Sequence, residues 1–131
     1  MPQIGNAGVS VYDYRILQRE GARVVEGLTP TEFEWDAGNA EKNWLRHRVS
    51  QQESEQVFFR RPLVVVEDDL HSQGEFRHYA LGQTEGGRLL FVVFTLRDDK
   101  VRIISARDMT RRERKEYESA QAKELAANPD I

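Results

Sequence analysis

Arg88-Leu-Leu-Phe-Val-Val-Phe-Thr-Leu-Arg97, Asp98-Asp99 and Lys100-Val-Arg-Ile-Ile-Ser-Ala-Arg107 follow one another without a break. Leu89 to Leu96 is almost wholly apolar and rich in β-branched and aromatic residues, the composition of a strand covered on both faces. Val101 to Ala106 is a second such run, interrupted by Arg102 and Ser105. Asp98-Asp99 between them suits a tight antiparallel hairpin. Arginines stand at its margins: Arg88 at the start, Arg97 at the turn, Arg102 within the second strand and Arg107 at the end. An apolar ribbon carrying guanidinium groups is a platform suited to phosphate.

The hairpin has neighbours on both sides. Leu63 to Val66 reads as a strand, and Phe76 to Gly82 alternates with the period of a sheet strand. Glu85-Gly86-Gly87 supplies the turn before the hairpin. Further upstream, Phe33-Glu34-Trp35 reads as a short strand, and Asp36 is placed as N-cap of a helix from Ala37 to His47. The spacing of Ala37, Ala40 and Trp44 turns Trp44 towards the core. Ser50 to Glu53 is a capping box opening a second helix to about Phe59, which Pro62 stops. Thr110 to Glu113 is another capping box, starting a helix that Asn128-Pro129 ends near Ala127. The expected fold class is α+β: an antiparallel four- to five-stranded sheet with two N-terminal helices and one C-terminal helix. Residues 1–32 form an N-terminal extension, read as a weak hairpin or a loosely ordered segment. The main domain covers 33–118, and 119–131 is a helical tail.

A chain of 131 residues supports one domain with one core. It has no apolar run long enough for a membrane helix and no basic-then-apolar secretory start. With no cysteine there is neither a disulfide framework nor a thiolate metal site, which fits a cytoplasmic protein. The net charge of −3 is unevenly spread. Arg97 to Lys115 holds eight basic residues and four acids. One surface is therefore basic enough to meet a phosphate backbone.

The order of segments resembles the BrnT toxin family. The residues that carry the resemblance are Phe33-Glu-Trp-Asp36, Asn43, Arg46-His47, Val49-Ser50, Val57-Phe58 and Pro62. Asp69, His71-Ser72, Glu75-x-Arg77, Leu81-Gly82, Gly87-Arg88, Val92-Val93-x-Thr95, Arg102 to Arg107, Glu113 and Tyr117 continue it. The resemblance implies a RelE/ParE-like fold and a ribonuclease toxin of a type II toxin–antitoxin system that inhibits translation. It also implies a BrnA-like antitoxin partner, whose DNA-binding part would be the toxin's one link to operator DNA. Two positions depart from the family pattern. Asn39 stands where the family often has lysine, and Arg46-His47-Arg48 where it usually has Lys-His-Gly. They motivate the alternative, a catalytically degenerate module that binds an antitoxin and acts in DNA co-repression.

Metal-free RNA cleavage needs a group to take the 2′-hydroxyl proton, donors for the charged phosphorane and an acid for the leaving oxygen. His47, His71 and His78 are the histidines available. His47, at a helix end, reads either as an acid or phosphate contact or as a cap. His71 reads as a loop hydrogen bonder and His78 as structural. The candidate catalytic set is His47, Arg77, Arg102 and Arg107. Arg46, Arg97, Arg111 and Arg112 are candidates for RNA backbone contact. Arg102 either lines the active face or pairs with a buried acid, and Glu113 is expected to be committed to its capping box. Trp35, Trp44, Phe58, Phe91 and Phe94 read as core. No pattern for a metal or cofactor is present.

Overall fold

The computed structural model describes residues 14–16, 22–25, 32–68, 77–97 and 100–127. Most of residues 1–31, the loop carrying His71 and the Asp98-Asp99 turn lie outside the described residues. The strands are β1 (Tyr14–Ile16), β2 (Ala22–Val25), β3 (Glu32–Glu34), β4 (Leu63–Asp68), β5 (Arg77–Gln83), β6 (Leu89–Arg97) and β7 (Lys100–Asp108). The helices are α1 (Ala37–His47), α2 (Gln51–Gln56), continued by a 3₁₀ turn over Val57–Phe59, and α3 (Arg111–Ala127).

The protein is α+β, with one mixed sheet in the order β1-β2-β4-β5-β6-β7-β3. Strands β3 to β7 make its five-stranded body, and β1 and β2 extend it beyond β4. The expected all-antiparallel sheet is corrected at one position: β3 runs parallel to β7, with Glu34 opposite Arg102. That direction lets the chain leave β3 through Trp35-Asp36 and enter α1, which packs over β7. The helices α1 and α2 are also not an N-terminal layer, because three strands precede them.

Alternation divides the strands between two apolar layers. On one face Leu63, Val65, Ala80, Leu90, Val92, Phe94, Val101, Ile103 and Ala106 meet Val49, Val57 and Phe58 from the α1–α2 side. On the other, Val64 and Leu81 meet Met109, Tyr117 and Ala120, with Leu89 and Phe91 at the margin. The Tyr117 hydroxyl donates to the Pro62 carbonyl at 2.8 Å and fastens α3 across the sheet. Burial pushes the Tyr117 phenol up to about 12, so it stays a neutral donor.

A β-bulge decides which residues share a face. Arg97 pairs with Lys100 and Phe94 with Ile103, but Val93 pairs with Ser105 and Phe91 with Arg107. The extra residue shifts everything after Ile103 by one position and reverses its facing. Counted straight from the turn, Arg107 would oppose Leu90 and point at α1. With the bulge it faces the α3 side. Beside the bulge, the Ala106 N–H donates to Asn43 Oδ1 of α1 at 3.3 Å.

That bond explains a second correction. Trp44 is 47% exposed, whereas Asn43 is buried. The inward stripe of α1 runs through Ala40, Asn43 and His47, because Asn43 serves the bulge. Trp44 lies outside, with the Arg48 guanidinium 5.3 Å above its ring. Arg48 closes α1 in the left-handed region, at φ 55° and ψ 37°, a conformation that glycine adopts at lower cost.

Gly82 marks the closest approach of the 3₁₀ turn to the sheet. A Cβ added there would lie 2.9 Å from Val57 Cβ. Gly82→Ala should therefore cost about 1–3 kcal/mol through overpacking, seen as a lower urea midpoint at unchanged slope.

Candidate active site

Two arginines at one end of the β6–β7 ladder look equivalent in sequence and differ in their donors. Arg88, just before β6, makes five hydrogen bonds. Its Nε and Nη2 donate to Asp108 Oδ1 and Oδ2 at 2.8 and 3.1 Å. Its Nη1 donates to the Arg48 carbonyl at 2.8 Å and to Glu53 Oε1 at 3.1 Å. Its Nη2 also donates to the His47 carbonyl at 3.1 Å. A guanidinium has five N–H groups, so none remains for a ligand. The sequence suggests Arg88 as a phosphate contact; the structure makes it the joint between α1, α2, β6 and β7.

Arg107, on the last turns of β7, keeps two donors. Nη1 donates to the Asp108 carbonyl and to Glu113 Oε1, both at 2.9 Å. Nη2 donates to Glu113 Oε2 at 2.9 Å. The guanidinium lies 3.9 Å from the centroid of the Phe91 ring, which in turn packs on Tyr79 at 4.9 Å. Nε–H and one Nη2–H have no hydrogen-bond partner among the described residues. Those two form the side fork of the guanidinium, the geometry that takes two oxygens of one phosphate. Glu113 is in the expected capping box, since Oε1 accepts the Thr110 N–H at 2.8 Å and its own N–H donates to Thr110 Oγ1 at 3.2 Å. It grips Arg107 at the same time, which the sequence reading did not foresee.

The other two candidate arginines lie farther along the same face. Arg77 of β5 is opposite Thr95, and Thr95 is opposite Arg102 of β7, so the three form one row across the sheet. That row is four residues from Phe91 along β6, about 13 Å from the Arg107 row. Arg77 is exposed and Arg102 half-buried. Arg102 Nη2 pairs with Asp36 at 3.7 Å, and that side chain is 51% exposed, so its partner is a solvated cap rather than a buried acid. Arg97 is exposed at the end of β6, and Lys100 opposite it pairs with Glu32 at 3.2 Å.

His47 is half-buried on the last turn of α1, on the other side of the sheet from the Phe91–Arg107 stack. Its charge reaches Asp108, the residue after Arg107, so it sits at the same end of the strands. Arg46, Arg111 and Arg112 are all exposed, the last two on the first turn of α3. His78 is buried and stacked on Phe94, with ring centroids 5.3 Å apart. Leu89, Asp108, Met109 and Arg114 line an open cleft of about 360 Å³ beside Arg107. The structure thus gathers Arg107, Arg111, Arg112, Arg46 and His47 at one end, and Arg77, Arg97 and Arg102 at the other. Sequence reasoning missed Asp108 and Glu53, the acids that hold Arg88. The one visible signal was a glutamate three residues into each capping box, close enough to an arginine-bearing strand end to pair.

Two carboxylates of this end, Asp108 and Glu113, are held in their charged form. Hydrogen bonds from Arg88 keep the Asp108 carboxyl below its ordinary range, outweighing burial, with the charges of Arg88, His47 and Arg114 adding to the effect. Burial pushes the Glu113 carboxyl up, but the hydrogen bonds from Arg107 and Thr110 and the charge of Arg107 bring it below its ordinary value. A depressed carboxyl stabilises the fold fully above its unfolded pKa and loses that contribution as pH falls through its folded value, here below about pH 4. The Asp108 side chain is 62% exposed, so solvent screening keeps its share small. Asp108→Asn should lower the urea midpoint at about pH 7, and the gap to wild type should narrow near pH 3 as the wild-type carboxyl protonates.

No curated protein matches the chain significantly. The family model described as "Ribonuclease toxin, BrnT, of type II toxin-antitoxin system" matches residues 35–113, from Trp35 to the Glu113 that grips Arg107. The match spans more than half of the chain and includes both arginine joints and α1 with His47. The chain belongs to the BrnT ribonuclease toxins of type II toxin–antitoxin systems.

Proposed function

We propose that this toxin cleaves RNA without a metal, on the open part of the sheet face that α3 shares, and thereby inhibits translation in the cytoplasm. The observation that carries the reading is the side fork of Arg107 above Phe91, which has no hydrogen-bond partner among the described residues. A phosphodiester held there meets two parallel N–H donors, which stabilise the charge that develops as the phosphorane forms. His47, which lies across the sheet at the rim of the same end, is the proton-transfer group for an RNA that bends over that rim, since an imidazole has one nitrogen that gives a proton and one that takes it. Arg77 and Arg102 hold the backbone about 13 Å away, more than one nucleotide along. Arg111, Arg112 and Arg46 draw the RNA to the near end, and Arg97 to the far end, through salt-sensitive contacts.

The same reading covers the partners and the domain plan. A BrnA-like antitoxin neutralises the toxin, and operator DNA is reached through that antitoxin alone. Residues 33–118 form a RelE/ParE-like unit, with 1–32 as an extension. The tail from 119 continues α3, which runs unbroken to Ala127.

The test is cleavage of single-stranded RNA by the purified full chain in the presence of a chelator. Arg107→Ala should lower kcat by about 10²-fold or more, the usual loss for a transition-state donor. Arg112→Ala should instead weaken binding and flatten the salt dependence. RNA left intact by the wild type under chelation, or full activity in Arg107→Ala, would overturn the proposal.

A further inference from the structure

Arg107 and Arg88 carry the same group at the same end of the sheet, and among the described residues Arg107 alone of the two keeps donors without a partner. The difference lies in what surrounds each. Arg88 is met from every side, whereas Arg107 is met by one carboxylate end-on, one carbonyl and one ring. We infer that Glu113 is a positioning residue: by taking the end fork of Arg107, it leaves the side fork facing the substrate phosphate. The inference rests on the reading of Arg107 as the phosphate ligand.

Three features support it. Glu113 is itself immobilised, because its Oε1 accepts the Thr110 N–H at 2.8 Å while its own N–H is tied to Thr110 Oγ1. The carboxylate therefore sits at the fixed start of a 17-residue helix rather than on a free side chain. It engages both Nη atoms at 2.9 Å, a bidentate contact that fixes the plane as well as the position of the guanidinium. The Phe91 ring at 3.9 Å supports one face of that plane. A long arginine side chain has many rotamers, and the arrangement removes them before substrate arrives.

Glu113 also compensates the charge of Arg107. A compensated guanidinium binds the resting diester weakly but still presents directed donors as charge grows on the phosphorane. Interactions stronger in the transition state than in the ground state raise kcat rather than lower KM. A purely structural glutamate would not divide its effect in that way.

Glu113→Gln separates the two roles. Glutamine retains an oxygen for the Thr110 cap, since a capping box accepts Glu or Gln. It cannot offer two acceptors to Arg107. In the full-length toxin acting on single-stranded RNA, kcat should fall by about 10-fold or more. KM should stay unchanged or fall, and the salt dependence of binding should steepen, because the Arg107 charge is released. In an Arg107→Lys background, Glu113→Gln should cost nothing further in kcat. Circular dichroism and thermal melting verify folding; if the glutamine variant unfolds, Glu113→Asp, which keeps the charge but is one methylene too short to reach both Nη atoms from the start of α3, replaces it with the same expected kcat loss. A kcat within about twofold of wild type, or a loss that persists undiminished beside Arg107→Lys, overturns the positioning role alone. Full activity in Arg107→Ala overturns the phosphate assignment beneath it.

Discussion

The five hydrogen bonds of the Arg88 guanidinium tie two helices to the β6–β7 ladder, which no strand pairing does. The guanidinium joins the last carbonyls of α1, the capping glutamate of α2 and the carboxylate that ends β7. Helix ends leave carbonyls without partners, and a cation placed there satisfies them while complementing the dipole. Without that joint, the end of α1 that carries His47 would rest on β7 through Asn43 and apolar contact, with the Asp36–Arg102 pair holding only its start.

Both capping boxes of this protein have a second duty. Glu53 accepts the Ser50 N–H at 3.0 Å and also Arg88, and Glu113 accepts the Thr110 N–H and also Arg107. Each helix start is thereby locked to a strand end by one carboxylate. The two clamps lie at the same end of β6 and β7, on opposite layers of the sheet. One uses all five N–H groups of its arginine, and the other leaves two without a partner among the described residues. Arg111 and Arg112 are exposed on the first turn of α3 beside Glu113, and so are local positive charges in a chain that as a whole is negative.

Most element boundaries were legible because they rest on local chemistry. Asp36, Ser50 and Thr110 announce helix starts, and the apolar runs announce strands. What was not legible depended on pairing. The bulge is hinted at only by Ile103-Ile104, two adjacent apolar residues in an otherwise alternating strand, and it decides which face Arg107 occupies. Trp44 was misread because helical spacing favours the largest apolar residue, while a backbone donor across the sheet required Asn43. The parallel β3 was invisible for the same reason: direction in a sheet is set by where the chain must go next. The four candidate catalytic residues were named by type, and their division between two ends of the strands follows from the register alone.

The strand β2 occupies the outer margin of β4, pairing Ala22 to Val25 with Val66 to Leu63. Three consecutive valines at an open margin would invite pairing with another chain. Here that backbone is already satisfied within the molecule, and the sheet ends instead in β1 and β3, of three residues each. Among the described residues, the sheet margins are thus two three-residue strands rather than the valine run of β4. A strand apolar enough to feed both core layers is therefore kept from pairing with a second chain by its own N-terminal neighbour.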